Sequence, residues 1–118
     1  MNVFKKLKSG GELSYALKIV VCSKLDGIIH NLNSKNDAKF KEIISELKLI
    51  YNELDEICFD LKEGNFVSPR DSLILVNKKI LGILGNKKIL DENISLEIRF
   101  IESNLNDLNN VIIKKIKK

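Results

Sequence analysis

One histidine, two cysteines, no tryptophan and a single proline give this 118-residue chain little material for catalysis or for sharp turns. One proline and six glycines exclude collagen-like and proline-rich designs, and they argue against an all-β fold with many tight turns. Cys22 and Cys58 stand far apart with no second Cys or His beside either, so neither zinc-ligand spacing nor a CxxC pair is present. The ordinary reading is two reduced, buried thiols packing as small apolar groups; a disulfide between them requires an oxidising compartment. His30 has only Asp26 and Ser34 within a helical turn, and neighbours four residues away do not make a triad. ExxH, GxGxxG and GxxxxGK[ST] do not occur, which disfavours a di-iron carboxylate site and a phosphate cradle. The expectation is a protein that is not an enzyme, with no catalytic, cofactor-binding or metal-binding residues.

Long apolar runs are also missing. None approaches the ~18–20 residues of a membrane span. The Leu13–Cys22 stretch follows Glu12 and is interrupted by Lys18, so it does not read as the core of an export signal. Ile19-Val20-Val21 before Cys22 is too bulky for a lipoprotein signal. These features predict a cytoplasmic protein.

What the chain does have is aliphatic side chains, with 17 Leu and 17 Ile, arranged at helical spacing. Residues 12–32 carry Leu13, Leu17, Val20, Val21, Leu25, Ile28, Ile29 and Leu32 in steps of three and four. Gly10 and Gly11 read as punctuation between this segment and a basic leader. Asn31–Asn36 is a polar break. Residues 38–63 carry Ile43, Leu47, Ile50, Leu54, Ile57 and Leu61 in alternating steps of four and three, after a cap at Asp37 and before a stop at Gly64-Asn65. Residues 69–84 follow Ser68-Pro69-Arg70-Asp71, read as a helix start with Ser68 as N-cap. Residues 92–116 follow Asp91 and repeat the four-three rhythm through Ile94, Ile98, Ile101, Leu105, Leu108 and Ile112. Four amphipathic segments with short connections predict one all-α domain over residues 1–118, an antiparallel up-down four-helix bundle.

Charge is uneven along the chain. The total is +4, yet Lys5, Lys6 and Lys8 crowd the beginning and Lys114, Lys115, Lys117 and Lys118 the end. Lys78, Lys79, Lys87 and Lys88 make the turn between the third and fourth segments locally basic. The late second segment, with Glu53, Asp55, Glu56, Asp60 and Glu63 against Lys62, is acidic where acids oppose the helix dipole. In an up-down bundle the basic termini share that end, and the expectation is that they neutralise it. Only Arg70 and Arg99 are arginines, so bidentate reading of base edges is disfavoured. The basic C-terminal run reads as a solvated helix end, a membrane-surface contact or, last, a nonspecific nucleic-acid contact.

Residues 28–69 go beyond a generic bundle. Ile28-Ile29-His30 and Leu32, the Ser34-Lys35-Asn36-Asp37 turn, Lys39-Phe40, Leu47-x-x-x-Tyr51-x-x-Leu54 and Ser68-Pro69 resemble the immunity proteins that guard bacteria against pediocin-like (class IIa) bacteriocins. The resemblance implies a cytoplasmic four-helix bundle, partly membrane-associated, without enzymatic activity. It implies action at the membrane transporter complex, a mannose phosphotransferase permease, that carries the cognate bacteriocin. It places specificity in the C-terminal half, here the hairpin of the last two segments and the basic end: Arg70, Asn86, Lys87, Lys88, Arg99, Lys114, Lys115, Lys117 and Lys118. Two other readings stand beside it. One is a helical adaptor or chaperone that packs helix against helix. The other is a nucleic-acid-binding accessory protein.

Overall fold

The stripes of the second and fourth segments keep step with an α-helix, and both form unbroken rods in a computed structural model that describes residues 2–86 and 89–117. These rods are α3 (Lys41–Lys62) and α5 (Glu92–Ile116). Every member of the two stripes is buried. Alternating steps of four and three average close to the 3.6 residues of a turn, so the seam does not wander around the rod.

The first segment breaks that rhythm, and the backbone answers it. Leu13, Leu17, Val21 and Leu25 are separated by three successive steps of four. At about 100° per residue, each such step overshoots a full turn by about 40°. Three in a row carry the stripe about 120° off the core. The rod instead runs as α1 (Gly10–Leu17), a π-helical turn (Lys18–Cys22) and α2 (Ser23–Ser34). Within the turn the Ser23 amide reaches back to the Lys18 carbonyl, five residues away. The wider turn re-phases the stripe, and Leu13, Leu17, Val21, Leu25, Ile28, Ile29 and Leu32 all stay buried.

The start of this rod differs from the expectation. Gly10 and Gly11 are inside the helix, and Ser9 is its N-cap. The Ser9 hydroxyl accepts from the Glu12 amide at 3.1 Å while the Glu12 carboxylate accepts from the Ser9 amide at 3.2 Å. This reciprocal cap was legible as Ser-x-x-Glu. The bonds from Ser9 hold the Glu12 carboxyl below its ordinary range. A depressed folded value means that its contribution is present above the ordinary glutamate range and is lost as pH falls through the folded value. Ser9→Ala is expected to cost about 1 kcal/mol in urea unfolding at neutral pH. An unchanged unfolding midpoint counts against the cap.

The other caps are mixed. Asp37 caps a 3-10 turn (Ala38–Phe40) that leads into α3, accepting from the Lys39 amide at 3.0 Å. The end of α3 follows the expected stop. Gly64 takes φ +81°, its amide bonds the Leu61 carbonyl, and the Asn65 amide reaches the Asp60 carbonyl at 2.9 Å. The third rod, α4 (Val67–Leu84), begins before Ser68. Ser68 is therefore inside the helix, and its amide is capped by Asn65 Oδ1 at 3.4 Å. Asp91 caps α5 as expected, accepting from the Ile94 amide at 2.8 Å.

The four rods form an antiparallel, all-α, four-helix bundle. The first rod packs on α3 and α5, and α4 packs on α3 and α5 from the other side. The body measures 47 × 21 × 20 Å. The termini and the α3–α4 loop lie at one end, and the α4–α5 loop lies at the other. The leader folds onto the bundle rather than standing apart: Phe4 is fully buried and Leu7 half-buried against the core.

Candidate functional site

The residues named from the sequence do not converge on one surface. Asn86 lies just beyond α4 at the far end of the bundle, and Arg99 is in the second turn of α5 at that same end. Arg70 starts α4 at the opposite end, which it shares with Lys114, Lys115 and Lys117. Arg99 and Lys114 are 15 residues apart on one rod, about 22 Å along its axis at 1.5 Å per residue. Lys87, Lys88 and Lys118 lie outside the described residues. The named set is thus divided between two sites.

At the far end, Asn86 lines an open groove of about 510 Å³ between α3 and α4. Ile43, Ile83 and Ile89 form its apolar lining, and Leu49 stands exposed at its side. Glu42, Glu46, Lys39 and Lys79 supply a rim of mixed charge. Gly82 also lines it, and a Cβ there meets nothing within 4 Å. Lys79 of α4 is tied to Glu53 of α3 by an ion pair. Arg99 sits elsewhere at this end, in a smaller cleft of about 320 Å³ with Leu84, Leu90 and Leu96.

The outer face of α4 was not among the residues named from the sequence. Val67, Ile74 and Leu81 recur every seven residues and are all exposed, as is Leu75 on the flank toward the groove. Two turns of an α-helix take about seven residues, so the first three form one strip. Ile74 and Leu81 also line a second groove, between α4 and α5, where the side-chain oxygens of Asn77 and Asn109 are buried without a hydrogen-bond partner. The signal was present in the Leu73-Ile74-Leu75-Val76 run. Four consecutive apolar residues cannot all face inward on one helix.

At the near end, Arg70 Nε donates to its neighbour Asp71 at 3.0 Å, in an exposed pair. Lys114 and Lys115 line a broad cleft with Lys5, Lys6 and Lys8 of the leader. The expectation that terminal lysines neutralise the acidic end of α3 is not carried by direct ion pairs among the described residues. Ion pairs among the described residues are Lys39–Asp37, Arg70–Asp71 and Lys79–Glu53, and none includes a terminal lysine. Lys114 and Lys115 instead meet the leader, because the leader packs beside α5.

Cys22 and Cys58 are both buried and free. Cys22 on the π turn and Cys58 on α3 are close enough to influence one another, and the Cys58 thiol donates to the Ser14 carbonyl at 3.7 Å. The Cys58 side chain, then burial, pushes the Cys22 thiol well up, away from the reactive thiolate. His30 is exposed on α2. Among the described residues no cluster of three or more His, Cys, Asp or Glu side chains is placed to hold a metal ion, and no helix is long and apolar enough to cross a membrane. No family model, curated protein or solved structure matches this chain.

Proposed function

We propose that this chain is a non-enzymatic immunity protein of the pediocin-like bacteriocin type, which protects its cell by docking on the membrane transporter complex that holds the bacteriocin. The observation that carries this reading is the unpartnered apolar surface of α4. Exposed Val67, Ile74, Leu75 and Leu81 belong to the hairpin where the resemblance to that family puts recognition. A four-helix bundle of this size buries its stripes without them, as the 28 apolar core residues among the described residues demonstrate. Apolar side chains left at such spacing on one helix suit packing against a partner's helices. The Asn86 groove on the α3 side continues that surface toward the far end.

The test is expression of the chain in a strain sensitive to pediocin-like peptides. Protection is expected against at least one such peptide, and Leu81→Glu is expected to abolish it while leaving the helical signal intact, because Leu81 is exposed. If no pediocin-like peptide loses potency against the expressing strain, the reading is wrong.

The seven-residue period of the α4 strip also favours a second reading, a helical adaptor that pairs with another helix. A stable homodimer burying well over ~1,000 Å², seen together with no protection in the killing assay, selects the adaptor.

A further inference from the structure

Five ammonium groups from opposite ends of the chain meet around one cleft, and among the described residues no carboxylate side chain lines it. We propose that this cleft, between the leader and the last turns of α5, is a binding site for the phosphate groups of an anionic membrane surface. It has a volume of about 780 Å³ and is lined by Lys5, Lys6, Lys8, Lys114 and Lys115, with Asn2 and Asn110 as further donors.

The arrangement is built, not frayed. Phe4 is fully buried and fixes the leader between Val3 and Lys5. The Phe4 amide donates to Asn2 Oδ1 at 2.9 Å, which folds the first residues back on themselves. Lys115 Nζ donates to the Lys8 carbonyl at 2.6 Å, a bond between residues 107 apart in sequence. That bond draws the end of α5 onto the leader and brings the two groups of lysines to one place. The nearest acid in sequence, Glu12, has its carboxylate occupied by Ser9. None of the five lysines is in an ion pair with a described residue. Like charges gathered in this way repel one another, and anions relieve that repulsion.

The chemistry of the lining selects the ligand. Lysines are compact, strongly hydrated point charges that suit phosphate oxygens without demanding a planar fork. The cleft has no arginine for base edges and no aromatic ring for stacking. Its position at one tip of a 47 Å body, with Val3 exposed on the leader beside Lys5, suits end-on contact with a lipid surface. Binding is thus electrostatic and falls with salt. The inference deepens the docking reading and rests on it for the membrane as the place of action.

Co-sedimentation of the full chain with lipid vesicles tests it. Vesicles of phosphatidylglycerol and phosphatidylcholine in equal parts are expected to bind the protein at low salt, and phosphatidylcholine alone is not. Each lysine near an anionic surface is worth about fivefold, so replacing Lys5, Lys6, Lys114 and Lys115 together by Gln is expected to weaken binding several hundredfold. Replacing four exposed lysines outside the cleft, Lys18, Lys35, Lys41 and Lys48, by Gln removes the same net charge and is expected to change binding far less. Circular dichroism checks that both variants fold. Equal loss in the two variants reduces the effect to net charge and overturns the site, as does binding to phosphatidylcholine alone or no binding at all. Tighter binding to a DNA duplex than to the mixed vesicles, at equal phosphate concentration, also overturns the membrane assignment. The vesicles hold neither bacteriocin nor transporter, so failure here is distinct from failure of protection in cells, which overturns the docking reading instead.

Discussion

Gly10→Ala is expected to lower the midpoint of thermal unfolding by roughly 10–15 °C, the equivalent of about 3 kcal/mol for a chain of this length. A Cβ on Gly10 falls 1.8 Å from the Leu61 carbonyl oxygen and 2.9 Å from its carbon. Both are backbone atoms and cannot rotate away. The Leu61 carbonyl also accepts from the Gly64 amide at 3.0 Å, so displacing it disturbs the turn that ends α3. Helix propensity alone gives the opposite sign, since alanine is favoured over glycine inside a helix by about 1 kcal/mol. Gly27→Ala is the matched control. Gly27 is exposed in α2, and a Cβ there meets nothing within 4 Å. That substitution is expected to stabilise by about 0.5–1 kcal/mol. Differential scanning calorimetry on the pair separates the two effects. Equal stabilisation by both alanines means that α1 and α3 do not approach as closely as described.

Phe4→Ala is expected to cost about 3 kcal/mol in chemical denaturation, at the lower end for a buried phenylalanine. Phe4 is fully buried with the core cluster, and most of the leader around it is exposed. The loss is expected to stay at that lower end, because Phe4 anchors a short leader and not one of the four rods. The same substitution is expected to release Lys5, Lys6 and Lys8 from their place beside Lys114 and Lys115 and to weaken vesicle binding. Phe4→Leu keeps an apolar anchor and is expected to retain most of both properties. Urea titration and co-sedimentation on the two variants check this. Full stability in Phe4→Ala shows that the leader does not belong to the core.

The two docking features differ in how far they could be read from the chain. The α4 strip was visible, in that Leu73-Ile74-Leu75-Val76 exceeds what one inward face can take, but which of the four remain outside depends on where α3 and α5 lie. The basic cleft was half visible. The lysines at each end stood out, and the up-down topology brought the termini to one end. Read from the sequence, they face the acidic end of α3, because Gly10-Gly11 sets the leader apart from the bundle. A single buried side chain, Phe4, turns the leader into part of the core and sets the lysines against α5.

Helix number, order and the buried stripe of each rod followed from local pattern alone, since an apolar side chain repeated every three or four residues has one way to leave water. The π turn was not read from the first segment, whose apolar positions form one continuous helical stripe by spacing alone. The close approach at Gly10, the cap supplied by Asn65 in place of Ser68, and the meeting of Lys8 with Lys115 were decided only by tertiary structure. Each depends on the distance between segments remote in sequence or on how a loop closes, and neither quantity is written in the spacing of residues along one helix.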